Sequence, residues 1–265
     1  MPTLPQAEPR AGRAACVLAA CLTIAACTSS TSGDGTTADL GAARSTTILA
    51  LGDSILDFHV DDGDSIPDVI GRTLDRPVVN AAVGGAWFAH ADPEAASAGL
   101  DVRAQYEESR AAADAGWVVL TGGGNDVNDA CGCGRCDDVL DALISHDGTS
   151  GEIPDFARRV VADGSQLMYV GYAEISADAE GGFGRCVDEL SEHGRRLAEM
   201  AESIDGVHFA DARQVVTAAD QDAYLDDLVH PSVEGAETVG RFVADEILAA
   251  EYSSVKEVSP MFLDR

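Results

Sequence analysis

The sequence predicts a three-layer α/β/α domain built on a five-stranded parallel sheet. Three observations lead there: short apolar, β-favouring runs recur along the chain, amphipathic stretches long enough for crossover helices separate them, and the first run ends in a Gly-Asp-Ser turn signal. With 265 residues, 46% of them hydrophobic, the chain can bury one sizeable core.

The first run, Thr46 to Leu51, ends in Gly52-Asp53-Ser54, a turn signal. The others are Pro77 to Asn80, Trp117 to Thr121, Gln166 to Gly171 and Gly206 to Ala210. Continuous apolar runs of this kind suit strands covered on both faces. Helices are predicted near Ile66 to Leu74, Arg103 to Ala113, Asp137 to Ser145, Ile153 to Ala162, Val187 to Ser203 and Val233 to Ala250. In the last of these Val239, Phe242, Val243, Ile247 and Leu248 share one face.

Residues 1–26 read as an address. Arg10 and Arg13 precede an apolar run from Ala14 to Ala26, too short to cross a bilayer as a stable helix but suited to a secretory signal. The run closes Ile24-Ala25-Ala26-Cys27, which resembles a bacterial lipobox and implies acylation of Cys27 and a membrane anchor on the periplasmic or extracellular side. A buried helix with incidental cysteines is the plainer alternative. Residues 27–45 are rich in Ser, Thr, Gly and Ala and read as a flexible tether, 46–252 as the domain and 253–265 as a tail.

Charge narrows the partners. Lys plus Arg total 17 against 46 Asp plus Glu, a formal charge of -29 that would repel phosphate backbones. Nucleic acid is thereby excluded, and 5% aromatic residues supply no stacking platform for single strands.

In open α/β sheets ligands bind beyond the carboxyl ends of the strands. Gly52-Asp53-Ser54 follows the first run, Asn80 to Gly85 the second and Gly123-Gly124-Asn125-Asp126 the third, while Asp227-Leu228-Val229-His230-Pro231 precedes the last helix. A serine hydroxyl needs a base to take its proton and donors for the oxyanion that develops. Ser54 is the candidate nucleophile, His230 the base and Asp227 the group that orients the ring, with Asp226 as rival orienter. The oxyanion donors would be the Ser54 and Gly85 backbone N–H groups and the Asn125 amide. This chemistry calls for no cofactor and no metal.

These blocks together resemble the SGNH, or GDSL, hydrolases, whose conserved Ser, Gly, Asn and His occur in that order. The resemblance covers roughly Thr46 to Ala250 and implies a flavodoxin-like sheet and hydrolysis of esters, thioesters or acylated sugars. Ala82 departs from it, standing where many members carry the first glycine of the second block.

Other features have plainer readings. A second Gly63-Asp64-Ser65 looks like a helix N-cap, with Pro67 in the first turn and Asp68 at the third position. His208 lies within a strand pattern and reads as core. His59 and His90 flank the first two catalytic loops and read as surface histidines, with lining of the pocket as the alternative, while His146 and His193 likewise have no partner at an orienting spacing. Asp126 and Asp129 read as solvated loop acids or turn caps. Cys131, Cys133, Cys136 and Cys186 form an even set suited to two disulfides, pairing either 131 with 136 and 133 with 186, or 133 with 136 and 131 with 186. Cys133-Gly134-Arg135-Cys136 also has zinc-ligand spacing. Phe58, Trp87, Phe88 and Phe183 are expected around the pocket.

The sequence therefore predicts an exported, lipid-anchored, monomeric serine esterase acting on a lipid, lysophospholipid or small acyl ester through an acyl-enzyme on Ser54. An O-acetyl esterase of envelope or dietary glycans, a non-catalytic binding lipoprotein and a metal-binding module are the alternatives.

Overall fold

Five apolar segments pair into one parallel sheet in the computed structural model, which describes residues 45–88, 93–110, 114–130 and 136–258. The strands are β1 (Ile48–Leu51), β2 (Val78–Asn80), β3 (Trp117–Leu120), β4 (Gln166–Gly171) and β5 (Val207–Asp211), in the spatial order β2-β1-β3-β4-β5. The α-helices among the described residues are α1 (Ser54–Asp57), α2 (Ile66–Leu74), α3 (Pro93–Ser97), α4 (Val102–Arg110), α5 (Gly124–Ala130), α6 (Cys136–Leu143), α7 (Glu152–Ala162), α8 (Val187–Ser203) and α9 (Val233–Val258). None is long and apolar enough to cross a membrane.

The period of two along each strand creates the layers. Leu49, Leu51, Val118, Leu120, Leu167 and Tyr169 join a cluster with side chains of α4, α6, α7 and α8. Their neighbours Ile48, Ala50, Trp117, Val119, Met168 and Val170 join another with α2 and α9. Both faces are therefore apolar, as the unbroken hydrophobic runs require. The register fixes the strand ends together: Leu51 pairs with Leu120, and Gly171 with Asp211.

Several predicted ends shift, most by one to three residues. β1 begins at Ile48, because Thr46 and Thr47 precede the first paired position. α9 continues from Ala250 to Val258, so the expected boundary at residue 252 falls inside a helix. Leu248, placed on its buried face by periodicity, is 46% exposed. Ser65 caps α2 through a reciprocal box with Asp68, whose carboxylate accepts from the Ser65 N–H.

The order β2-β1-β3 makes the chain reverse direction across the sheet between β1 and β3, opening a crevice beyond their carboxyl ends. Gly52 sits there at φ 140°, where a Cβ would stand 2.3 Å from the Thr121 carbonyl oxygen. The buried Gln105 of α4 holds this glycine from both sides, accepting from its N–H at 2.8 Å and donating to its carbonyl at 2.9 Å. Gly52→Ala is accordingly expected to cost about 2–4 kcal/mol in urea unfolding. Wild-type stability in that variant would contradict the close approach.

Candidate active site

Asp53, the residue before α1, has extended backbone, and its side chain accepts from the Ile55 N–H at 3.0 Å. That cap starts the helix at Ser54 and points its hydroxyl into the crevice. At the other end of the chain, Tyr224 bridges Pro231 antiparallel and the Leu225 N–H donates to the His230 carbonyl, closing a tight loop. Leu228 turns that loop at φ 55°. Asp227 Oδ1 then accepts from the Val229 and His230 N–H groups at 2.9 and 3.0 Å, which fixes the carboxylate inside its own turn.

The loop brings His230 Nε2 to 2.9 Å from Ser54 Oγ and His230 Nδ1 to 2.6 Å from Asp227 Oδ2. Burial works to raise the Asp227 pKa, but the His230 ring and the two amides outweigh it and hold the carboxyl below its ordinary value. It is therefore ionised as an acceptor for the ring. Asp226 makes none of these contacts. Phe58 lies over His230, the rings stacked at 4.1 Å and 18°, and His59 Nε2 meets the Pro231 carbonyl at 2.9 Å. His59 is half-buried and tied to the catalytic loop, nearer the alternative of a place at the pocket than a free surface histidine.

The glycine and asparagine loops face the same crevice. Gly85 adopts φ 84°, and the preceding Gly84 N–H donates to Asp57 Oδ2 at 2.9 Å. A Cβ on Gly84 would lie 3.8 Å from Ser54 Cβ, so this loop passes directly beside the nucleophile. The Asn125 amide donates to the Ala86 carbonyl at 2.9 Å, which locks the asparagine to the Gly85 loop.

Three supports escaped the sequence. Tyr172, just past β4, donates to Asp53 Oδ2 at 2.6 Å and accepts from the Gly124 N–H at 2.8 Å, linking the serine and asparagine loops. Burial raises the Asp53 pKa, against the hydrogen bonds from Tyr172 and Ile55 and the nearby His230. Asp126 is buried, not solvated, and accepts from the Phe88 N–H at 3.0 Å, whereas Asp129 is exposed as expected. Gln105 is the third. Only the long-range position of these side chains shows their use, since Tyr and Gln carry no motif here.

Of the aromatic residues expected around the pocket, Phe183 lines a cavity at Ser54 and Phe58 covers His230. Phe88 is instead fully buried, edge-on to Phe156 at 5.8 Å, because its loop turns it into the core. His208 is only partly buried and meets Gln166 Oε1 at 3.0 Å, while His146 pairs with Glu192 at the surface. Cys186 is buried and disulfide-bonded. His90, Cys27, Cys131 and Cys133 lie outside the described residues.

A serine, an imidazole and an ionised carboxylate in hydrogen-bonded series, at the switch point of a doubly wound sheet, define a serine ester hydrolase. The chain belongs to the GDSL-like lipase/acylhydrolase family, whose model matches residues 50–238. Its fold is similar to that of a carbohydrate acetylesterase family member from Sinorhizobium meliloti, at 18% identity and TM-score 0.53 over 77% of this chain and 98% of that one. It is also similar to a variant of an acetyl-xylooligosaccharide esterase from Geobacillus, at 20% identity and TM-score 0.52 over 76% and 94%. Identities this low show a shared fold. No curated protein sequence matches significantly.

Behind the asparagine loop lies His193, fully buried, with both ring nitrogens lacking a hydrogen-bond partner among the described residues. Desolvation, aided by Arg196, lowers its pKa to about 4. An unfolded imidazole takes up its proton near pH 6.5, so between there and about 4 the unfolded chain binds more protons and the fold loses stability on acidification. The loss totals roughly 3 kcal/mol below that window. His193→Leu should flatten the stability profile between these limits in unfolding experiments at fixed temperature. An unchanged acid slope would show that other groups carry it.

Proposed function

We propose that this chain hydrolyses carboxylic esters through an acyl-enzyme on Ser54. His230 takes the hydroxyl proton as Ser54 attacks the carbonyl, then gives it to the departing alcohol; water repeats the sequence to release the acid. Asp227 holds the imidazole with Nε2 toward the serine and stabilises the imidazolium that forms. The developing oxyanion would be met by the Ser54 and Gly85 backbone N–H groups and by the second N–H of the Asn125 amide, whose first is engaged by Ala86. The observation that carries this reading is the unbroken series from Asp227 Oδ2 through the ring to Ser54 Oγ, at 2.6 and 2.9 Å.

The two acetylesterase structures that share the fold support a second reading for the alcohol half, an O-acetylated sugar of an envelope or dietary glycan. A fluorophosphonate probe distinguishes the enzyme from a non-catalytic binder. It should label wild type at Ser54, and Ser54→Ala should abolish the label and lower ester turnover by about 10⁴-fold or more. Labelling that survives the substitution rejects the assignment.

The ester hydrolase would work outside the cytoplasm, held by a lipid on Cys27 at the end of the 1–26 signal. Its support is the Ile24-Ala25-Ala26-Cys27 sequence and the polar stretch that follows. Labelled palmitate should enter the wild-type chain in a bacterial host and be absent from Cys27→Ser. Equal incorporation in both would remove the anchor.

A further inference from the structure

We propose that a small apolar slot beside Ser54 restricts the acyl half of the substrate to an acetyl-sized group, and that the Ile175 side chain, shared between this slot and a second small apolar cavity, sets that limit. The inference rests on the ester-hydrolase reading above and adds the acyl size. Ser54 and Asn125 stand at the mouth of the slot, with Ile175, Phe183, Leu190 and Val229 around it. Ile175, Leu190 and Val229 are each 7% exposed, so these walls are held by the core. The remaining polar groups at the slot, Asp53 and Tyr172, are engaged with one another at 2.6 Å. Nothing there invites a sugar hydroxyl or a charge. The enclosed space has room for about one water- or methyl-sized group.

Direction follows from the proton. The departing alcohol oxygen must lie within reach of His230 Nε2, and His230 does not line the slot. The slot touches Ser54 and Asn125 but neither the base nor Gly85, the third oxyanion donor, and the rest of its wall is mainly apolar, so it receives the acyl substituent and not the alcohol or the carbonyl oxygen. Behind it lies another apolar cavity that continues toward Ile66 and Val239, and Ile55, Tyr172, Ile175 and Val229 line both. These side chains are the partition. Removing the Ile175 branch would add its own volume to the slot and join the two spaces.

The test is kcat/KM of the purified full chain for nitrophenyl acetate, butyrate and hexanoate. Wild type should favour acetate over butyrate by about tenfold or more, within the range that one or two methylenes command in an apolar pocket. Ile175→Ala should raise the butyrate-to-acetate ratio by about tenfold, and Val229→Ala should move it the same way if the first variant folds poorly. Wild type that cleaves hexanoate as well as acetate overturns the proposal, as do folded variants whose ratio stays at the wild-type value. Fluorophosphonate labelling separates the two readings: a chain that labels at Ser54 but ignores acyl length loses only the slot, and one that does not label loses both.

Discussion

A single hydrogen bond of 2.9 Å joins Ser54 to His230 across 176 positions of chain. Neither residue can search for the other, because side-chain hydrogen bonds contribute only about 1 kcal/mol net, far less than the entropy of ordering two loops. The sheet does the placing. β1 delivers Ser54 at its carboxyl end, and the chain beyond β5 returns through the Tyr224–Pro231 bridge, seated beside α9, to deliver His230. The contact is thus a consequence of strand order, and a register slip in β1 would move Ser54 out of the crevice.

What the sheet leaves loose, buried polar groups tie down. Asp53, Tyr172 and Gly124 run in series from the serine loop to the start of α5, and Asn125 continues the chain of contacts to Ala86. Burial keeps the Tyr172 hydroxyl protonated and so a donor to Asp53. A deprotonated pair would place two anions in a dry site, so the Tyr172 proton stays within the network. Such a network specifies geometry more than it adds stability: each bond replaces one to water, but any lost partner leaves a buried polar group unsatisfied. That asymmetry holds the donors in place before a substrate arrives.

Local patterning made most of the fold legible. The five apolar runs became the five strands because each must bury both faces, and Val187 to Ser203 became α8 over the whole predicted span. The Ser54, Asp227 and His230 positions could be singled out because Gly-Asp-Ser follows a strand and an acid precedes an imidazole by three residues, both short-range signals. Asp126 failed that kind of reading: composition makes a loop aspartate solvated, while the fold turns it toward the Phe88 N–H and buries it. For His59 the sequence left surface and pocket both open, since its use depends on Pro231, which lies 172 positions away. Periodicity also misplaced Leu248, because a helix that packs on one sheet face buries a narrower stripe than its apolar residues span.

Chemistry and selectivity come from different parts of this architecture. The groups in the proton relay are fixed by a strand end, a helix start and a turn that satisfies its own carboxylate. The side chains around Ser54 that would meet the acyl group come mainly from elsewhere: Ile175 and Phe183 from the irregular stretch between β4 and α8, and Leu190 from the first turns of α8. Backbone there makes few ladder bonds, so side-chain volume can change without disturbing strand order or the relay. Val229, like Ile55 whose N–H binds Asp53, belongs to both sets, its N–H on Asp227 and its side chain on the slot. At that residue a change in acyl preference must be made without moving the amide that positions the catalytic acid.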